Sequence, residues 1–267
     1  SKLIRSTMST KTAANIASDQ QNQPATKAIT QAMILAAGKG TRLRPLTLTT
    51  PKPLVEVGGQ PLIVWHIKAL KAAGINDIVI NTSWLSDKLM SALGDGSQYG
   101  VRIHWSVEEG EPLETAGGIA KALREGLLKH CPFILVNGDV WTDYDLSELT
   151  GYAMTSDQKA HLLMINNPKH HPQGDFAINS GLASQEAIAD DEKYTFAGLS
   201  VISPDLVAGI AEGQIAPLAP LLKQAMLKLQ VTAEVMNADW VDVGTAERLD
   251  KINQKIQSQG AGSHKGS

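Results

Sequence analysis

Met33-Ile34-Leu35-Ala36-Ala37-Gly38-Lys39-Gly40-Thr41-Arg42-Leu43, continued by Thr50-Pro51-Lys52-Pro53-Leu54, is the stretch on which the reading of this chain turns. Ala32 to Ala36 is a short apolar run that empties into a glycine turn, which reads as a buried strand ending at the mouth of a sheet. Gly38 and Gly40 allow positive φ and let main-chain N–H groups approach a ligand with no Cβ in the way, so that successive amides can cup phosphate oxygens. Arg42 adds a planar fork of donors and Lys52 a compact, mobile cation, a pair suited to two phosphates of one polyanion. The spacing is not that of a dinucleotide fold, because Leu43 stands where the third glycine of G-x-G-x-x-G falls. Nor is it a Walker loop, which needs Lys and Ser/Thr directly after a glycine. The competing reading is an ordinary strand-to-turn loop with solvated charges, and the addition of Arg42 and Pro51-Lys52-Pro53 weighs against it.

Outward from this loop the pattern alternates. Pro61 to Ala73 is expected to be helical, with Ile63, Ile67 and Leu70 on one face and Gly74 at its stop. Asp77 to Asn81 reads as a strand, Ser86 to Leu93 as a helix, and Val101, Ile103, Trp105 and Val107 alternate as a half-buried strand does. Ile119 to Leu128 follows as a helix and Phe133 to Val136 as an apolar strand. This rhythm predicts right-handed crossovers and a Rossmann-like α/β fold with a mixed, mainly parallel sheet flanked by helices. In the second half, strands are expected at His161 to Ile165 and Phe196 to Ile202, with helices near Pro204 to Ala211 and Pro217 to Lys228. A closing helix carries Leu249, Ile252 and Ile256 in register. Asp139 follows its strand through Gly138, at the carboxyl edge where open α/β sheets collect ligands. A turn or helix cap is the plain alternative for it, and Asp143 and Asp145 read as capping and surface residues.

Composition narrows the function. The 267 residues are 43% hydrophobic, enough for one α/β domain with a sizeable core. A net charge of −3 and a pI near 6.2 argue against nucleic-acid binding, which rests on a basic surface. Cys131 is the lone cysteine, which points to a cytoplasmic setting, and no apolar span suggests a membrane. Residues 1–30 are rich in Ser, Thr, Ala, Gln and Asn without apolar period, so they are expected to be a disordered extension; 31–257 read as a single domain and 258–267 as a flexible tail. Nothing in the sequence points to an oligomeric state.

The run from Met33 to Leu54 resembles the signature of the sugar-1-phosphate nucleotidyltransferases. The resemblance continues through Gly110-Glu111-Pro112-Leu113-Glu114-Thr115-Ala116-Gly117-Gly118, Leu135 to Asp143, Phe196-Ala197-Gly198-Leu199 and Trp240-Val241-Asp242-Val243-Gly244-Thr245. It implies a GT-A-like nucleotidyltransferase fold. The left-handed β-helix that some members append is not expected, because no hexapeptide series follows Trp240. It also implies direct in-line transfer, in which a sugar-1-phosphate oxygen attacks the α-phosphorus of a nucleoside triphosphate and pyrophosphate leaves. By resemblance the catalytic residues are Arg42 on the β,γ-phosphates, Lys52 between the α-phosphate and the sugar phosphate, and Asp139 and Asp242, which would hold Mg²⁺. The nucleotide would be lined by Leu35, Ala37, Gly38, Gly40, Thr41, Glu114, Thr115 and Gly117. The sugar would meet Asn137, Trp141, Asn167, Asp175 and Gly198, with Trp141 as plain core the alternative.

Asn137 to Asp143, taken with Asn167-Pro168-Lys169-His170-His171 and Gly174-Asp175-Phe176, most resembles the branch that takes UTP and N-acetylmuramic acid α-1-phosphate in cell-wall recycling. Lys169 or a protonated His170 would then receive the lactyl carboxylate, while Gln173 departs from the arginine often found before Gly-Asp-Phe. Two adjacent histidines without a third ligand do not make a zinc site. The alternatives are a guanylyl- or thymidylyltransferase of mannose- or glucose-1-phosphate and, in another class, a regulatory subunit that binds a sugar nucleotide without turnover.

Overall fold

In a computed structural model of the protein, residues 28–188 and 192–262 are described, 261 and 262 by backbone alone. The expectations for residues 1–27 and 263–267 lie outside the described residues. In chain order the elements are β1 (Gln31–Leu35), β2 (Glu56–Val57), β3 (Gln60–Pro61), α1 (Leu62–Ala72), β4 (Asp77–Thr82), α2 (Ser86–Leu93), β5 (Arg102–Val107), α3 (Glu114–Arg124), β6 (Phe133–Asn137) and β7 (Val140–Thr142). They continue with α4 (Ser147–Thr150), β8 (Ala160–Ile165), β9 (Phe176–Asn179), β10 (Leu182–Ser184), β11 (Lys193–Ile202), α5 (Leu218–Leu227), β12 (Val231–Val235), β13 (Trp240–Asp242) and α6 (Ala246–Gly262).

Nine strands form one mixed sheet in the order β5-β4-β1-β6-β11-β8-β12-β10-β9. The parallel arrangement expected from the alternating helices holds for β5, β4, β1 and β6. Beyond β6 the pairing is antiparallel except between β12 and β8. β1, β4 and β6 are buried on both faces, which explains why they read as apolar runs without alternation, whereas β5 lies at the sheet edge and is partly exposed. Ala32 and Ile34 of β1 pack toward Ile63, Ile67 and Leu70 of α1. Met33 faces the other way, toward Ile119 and Ala122 of α3 and Phe133 and Leu135 of β6. One strand thus joins two cores, and its carboxyl end is held from both sides.

Several boundaries differ from expectation for identifiable reasons. The helix placed at Ile119 to Leu128 begins at Glu114 and ends at Arg124, because the chain turns at Gly126, with φ 73°. Pro204 to Ala211 makes only a 3₁₀ turn over Pro204–Val207, capped by the Ser203 hydroxyl. In β5 the alternation breaks, since Ser106 is buried and Val107 exposed at the strand's open end. Packing begins ahead of residue 31, with Ile29 buried and its amide donating to the Thr150 carbonyl. α6 runs on to Gly262, past the boundary at 257 read from composition.

The short ribbon of β7 and β13 decides the geometry of the site. These strands are too brief to announce themselves in sequence, and they pair antiparallel with Val140 opposite Asp242. Beneath them Val57, Leu62, Trp141, Val243 and Ile252 form a third apolar cluster under α6. Each large buried side chain there contributes about 1.5–3 kcal/mol, whereas a ladder hydrogen bond nets about 1 kcal/mol. The cluster, more than the ladder, fixes where the ribbon lies.

Candidate active site

At the carboxyl ends of β1, β4 and β6, a cleft of about 460 Å³ opens, lined by the turn after β1, by Lys52 and Pro53, by Asn81 and Glu108, by Pro112, Glu114 and Thr115, and by Asn137 to Asp139. This is the crevice outside the strand ends where the order reverses around β1. Leu35, Ala37, Gly38, Gly40, Thr41, Glu114 and Thr115, expected to contact nucleotide, all line it.

The two glycines of the turn play different parts. Gly40 takes φ 64°, and a Cβ there would lie 2.9 Å from the Thr47 methyl, so the position needs glycine on both counts. Thr47 also donates its hydroxyl to the Gly40 carbonyl at 2.5 Å. Gly38 does not use the positive φ that glycine allows; a Cβ there would meet nothing within 4 Å and would point into open space. Its value is the bare approach it leaves to the backbone. Among the described residues, none accepts a hydrogen bond from the amides of Gly38, Lys39 or Gly40.

Gly117 corrects another expectation. Its amide donates to the Ala216 carbonyl, and a Cβ would lie 2.6 Å from the Gln214 carbonyl oxygen. It is a packing glycine that seats α3 against the 214–216 segment. Leu113 holds the cap of α3, Glu114 follows at φ 61°, and Thr115 lies in the first turn of the helix.

The charged groups converge. Asp139 leaves the end of β6, Asp242 the end of β13, and the Val243 amide donates to the Asp139 carbonyl at 2.9 Å. Lys52 Nζ sits 3.9 Å from Asp139 Oδ2 with its side chain 13% exposed. Burial pushes its pKa below the usual lysine range, opposed by the carboxylates of Asp139 and Asp242 and assisted by Arg42 and Arg248. A Cβ on Gly244 would fall 2.8 Å from Asp242 Oδ1 and 3.0 Å from an Arg42 guanidinium nitrogen, so that glycine lets both groups close over the ribbon's end.

The Oδ1 of Asp242 is buried and without a hydrogen-bond partner among the described residues. A buried, unpartnered carboxylate oxygen is costly, and a hard divalent cation is the chemistry that satisfies it. The donor set of Asp139 and Asp242 therefore fits Mg²⁺, with phosphate and water completing the shell. Among the described residues no three His, Cys, Asp or Glu side chains gather as a metal site.

On the sugar side, Gly198 takes φ 78° and lies against Asn137, whose side-chain atoms would be 2.9–3.1 Å from a Cβ there. The bare glycine leaves room for the Asn137 side chain, and Asn137 lines the cleft. Trp141, expected to offer a face to sugar, is 4% exposed and stands edge-on to Trp65 at 5.7 Å within the third cluster. It is core. Asn167 donates to the carbonyls of Pro172 and Lys193 and accepts from the Thr195 hydroxyl, so its amide is spent on stapling its own loop. Asp175 accepts from the Phe196 amide at 2.8 Å and lies 3.0 Å from His171 Nε2. These two side chains hold a loop in place and lie outside the main cleft.

His170 Nε2 lies 3.9 Å from Asp242 Oδ2. Burial and the neighbouring Arg248 lower its pKa below the usual histidine range, which disfavours the protonated form expected for it. Arg248, which sequence reasoning passed over, donates from Nε to the Asp242 carbonyl at 2.8 Å and reaches Asp242 Oδ2 at 3.5 Å. Only the packing of α6 brings it there. Asn81 and Glu108 were missed as well, though polar residues closing apolar strands are a signal that was open to use.

Residues 31–189, more than half of the chain, match the nucleotidyl transferase family. The chain is 46% identical over 221 residues to the N-acetylmuramate alpha-1-phosphate uridylyltransferase of Neisseria meningitidis serogroup B, covering 82% of this chain and 95% of that protein. It is 48% identical over 132 residues to a mannose-1-phosphate guanyltransferase of Candida albicans, covering 48% of this chain and 34% of that protein. Among solved structures, a putative glucose-1-phosphate thymidylyltransferase from Bacillus anthracis superposes with a TM-score of 0.74 at 21% identity, over 85% of this chain and 95% of that one. A UDP-glucose pyrophosphorylase superposes with a TM-score of 0.67 at 16% identity, over 86% and 99%. With the family match spanning the cleft and the likeness to the meningococcal protein covering 82% of the chain, this chain belongs to the nucleotidyl transferase family.

Proposed function

We propose that the protein is a uridylyltransferase that converts UTP and N-acetylmuramic acid α-1-phosphate to UDP-N-acetylmuramic acid and pyrophosphate. The observation that carries the reading is the identity to the meningococcal enzyme over nearly its whole length; the guanyltransferase of Candida albicans matches about half of this chain. The reaction would belong to peptidoglycan recycling in the cytoplasm and be carried out by one domain running from Ile29 through α6.

In the mechanism that the geometry supports, Gly38 to Thr41 offer backbone to the triphosphate and Arg42 holds the phosphates that leave. Lys52, in reach of Asp139, draws the α-phosphate and the sugar phosphate together and neutralises charge as it builds. Mg²⁺, held by Asp139 and Asp242, would polarise the phosphoryl centre when bound. Thr115 and the amides beside it would read the base. Asn137, given room by Gly198, would meet the sugar, and Lys169 remains as an exposed cation available to a lactyl carboxylate.

A pyrophosphate-release assay crossing UTP, dTTP, GTP, CTP and ATP with N-acetylmuramate, N-acetylglucosamine, mannose and glucose 1-phosphates tests this directly. Turnover confined to UTP and the muramate substrate is the expected result. A preference for GTP with mannose 1-phosphate would replace the proposal with a guanylyl reading, and turnover of no pair would favour a non-catalytic binding subunit.

A further inference from the structure

Behind the cleft, two buried polar side chains connect its opposite walls. The Ala36 amide, at the root of the glycine turn, donates to Asn81 Oδ1 at 2.8 Å. Asn81 Nδ2 donates to Glu108 Oε2 at 2.7 Å, and Glu108 Oε1 accepts from the Leu113 amide at 2.8 Å, at the cap of α3. Both side chains are 3% exposed, and both line the cleft. A Cβ on Gly118 would lie 3.1 Å from Asn81 Nδ2 and 3.2 Å from Glu108 Oε2, so α3 closes over the pair and leaves no room for another partner on that side.

The polarity of this chain of bonds is forced. Its two ends are backbone N–H groups, which only donate. An amide between them that accepts from the first must hand a donor onward, and the next group must then accept on both sides. An ionised carboxylate does so, whereas a carboxamide in that place would set donor against donor at one end.

We propose that Asn81 and Glu108 are positioning residues: their relay of fixed polarity sets the distance between the phosphate-facing turn and the loop of Pro112 to Thr115, and so tunes the grip on the nucleotide. Neither side chain need touch the reacting atoms. The inference rests on the reading of this cleft as the triphosphate site.

The test exploits the polarity. Glu108→Gln and Asn81→Asp each leave one mismatched contact, donor on donor or carboxylate on carboxylate. The double variant Asn81→Asp/Glu108→Gln restores every bond with the roles exchanged, because the new carboxylate accepts on both sides while the new amide donates to it and accepts from Leu113. Each single variant is expected to raise the KM for UTP by about tenfold or more, the scale of one mispaired buried group. The KM for the sugar phosphate should change by less than about threefold. The Ala36 and Leu113 amides, followed by NMR hydrogen exchange, should exchange faster in the single variants. The double variant should return both readouts toward wild type.

Single variants that match wild type in both readouts, or a double variant no better than the worse single, would overturn the proposal. Should a single variant fail to fold, a folded double variant with near-normal KM still supports the relay, and an unfolded one refutes it. Should the wild-type protein release no pyrophosphate with UTP, the functional reading falls, and the exchange rates of the four proteins decide the relay by themselves.

Discussion

Replacing Lys52 with methionine separates the chemistry of the site from the stability of the fold. The lysine reaches 3.9 Å from an Asp139 oxygen, with its side chain 13% exposed. At that separation and an effective dielectric of about 20, two unit charges interact by about 4 kcal/mol. A phosphoryl oxygen seated at similar range would draw on Lys52 to a similar extent as its charge develops, and about 4 kcal/mol is about three powers of ten in rate. Methionine keeps the apolar stem and removes the charge.

Stability should move the other way or not at all. Burial holds the folded pKa of Lys52 below its unfolded value. Between those two values the unfolded chain binds more protons, so stability rises with pH there, and below the folded value the cost of the buried charge is present in full. Lys52→Met escapes that cost. The expected result is a kcat lower by about 10³ in pyrophosphate release, with a Tm at neutral pH equal to or above wild type and a smaller alkaline gain in stability. A kcat within about tenfold of wild type would refute the assignment of Lys52 to charge neutralisation, and a large fall in Tm would refute the reading of its buried charge as a cost.

Two further outcomes follow from the packing around the ribbon. His66 is fully buried, donates from Nε2 to the Val140 carbonyl at 2.7 Å, and has its pKa lowered by burial from 6.5 to about 4. The folded protein should therefore lose up to about 3 kcal/mol as pH falls from 6.5 to 4, where only the unfolded chain gains the proton, and His66→Gln, which keeps a donor, should flatten that limb in denaturant titrations run across this range. Trp141 is core, and its indole N–H has no partner among the described residues. Trp141→Phe should leave the sugar-phosphate KM within about twofold and lower stability by less than about 2 kcal/mol, the smaller ring being offset by removal of a stranded donor; a tenfold rise in KM would return Trp141 to the sugar site.

Much of the first half of the fold was legible because its strands are parallel and covered on both faces. Burial of that kind writes itself into the chain as unbroken apolar runs, and the helices between them carry the 3.6-residue period of one packed face. The glycine turn with Arg42 and Lys52 was legible for a related reason: a phosphate cradle is built largely from consecutive residues, so local spacing carries its signature. The sugar side was harder to read. Asn167 and Asp175 are the polar residues a sugar pocket calls for, yet the fold uses their hydrogen bonds internally, and only the positions of Thr195, Phe196 and Lys193 reveal that.

By itself the sequence determined that a buried strand ends in a phosphate-facing turn, that strands and helices alternate through the first half, and that two aspartates were available for a cation. The tertiary structure decided that the aspartates lie side by side, through a ribbon of three residues on each strand whose pairing depends on an apolar cluster drawn from four separate parts of the chain. It also decided that Trp141 turns inward, that Asn81 and Glu108 line the cleft, and that Arg248 reaches Asp242. Local pattern records which face of an element is buried; which side chains meet across elements depends on how the elements pack, and no period in the sequence carries that.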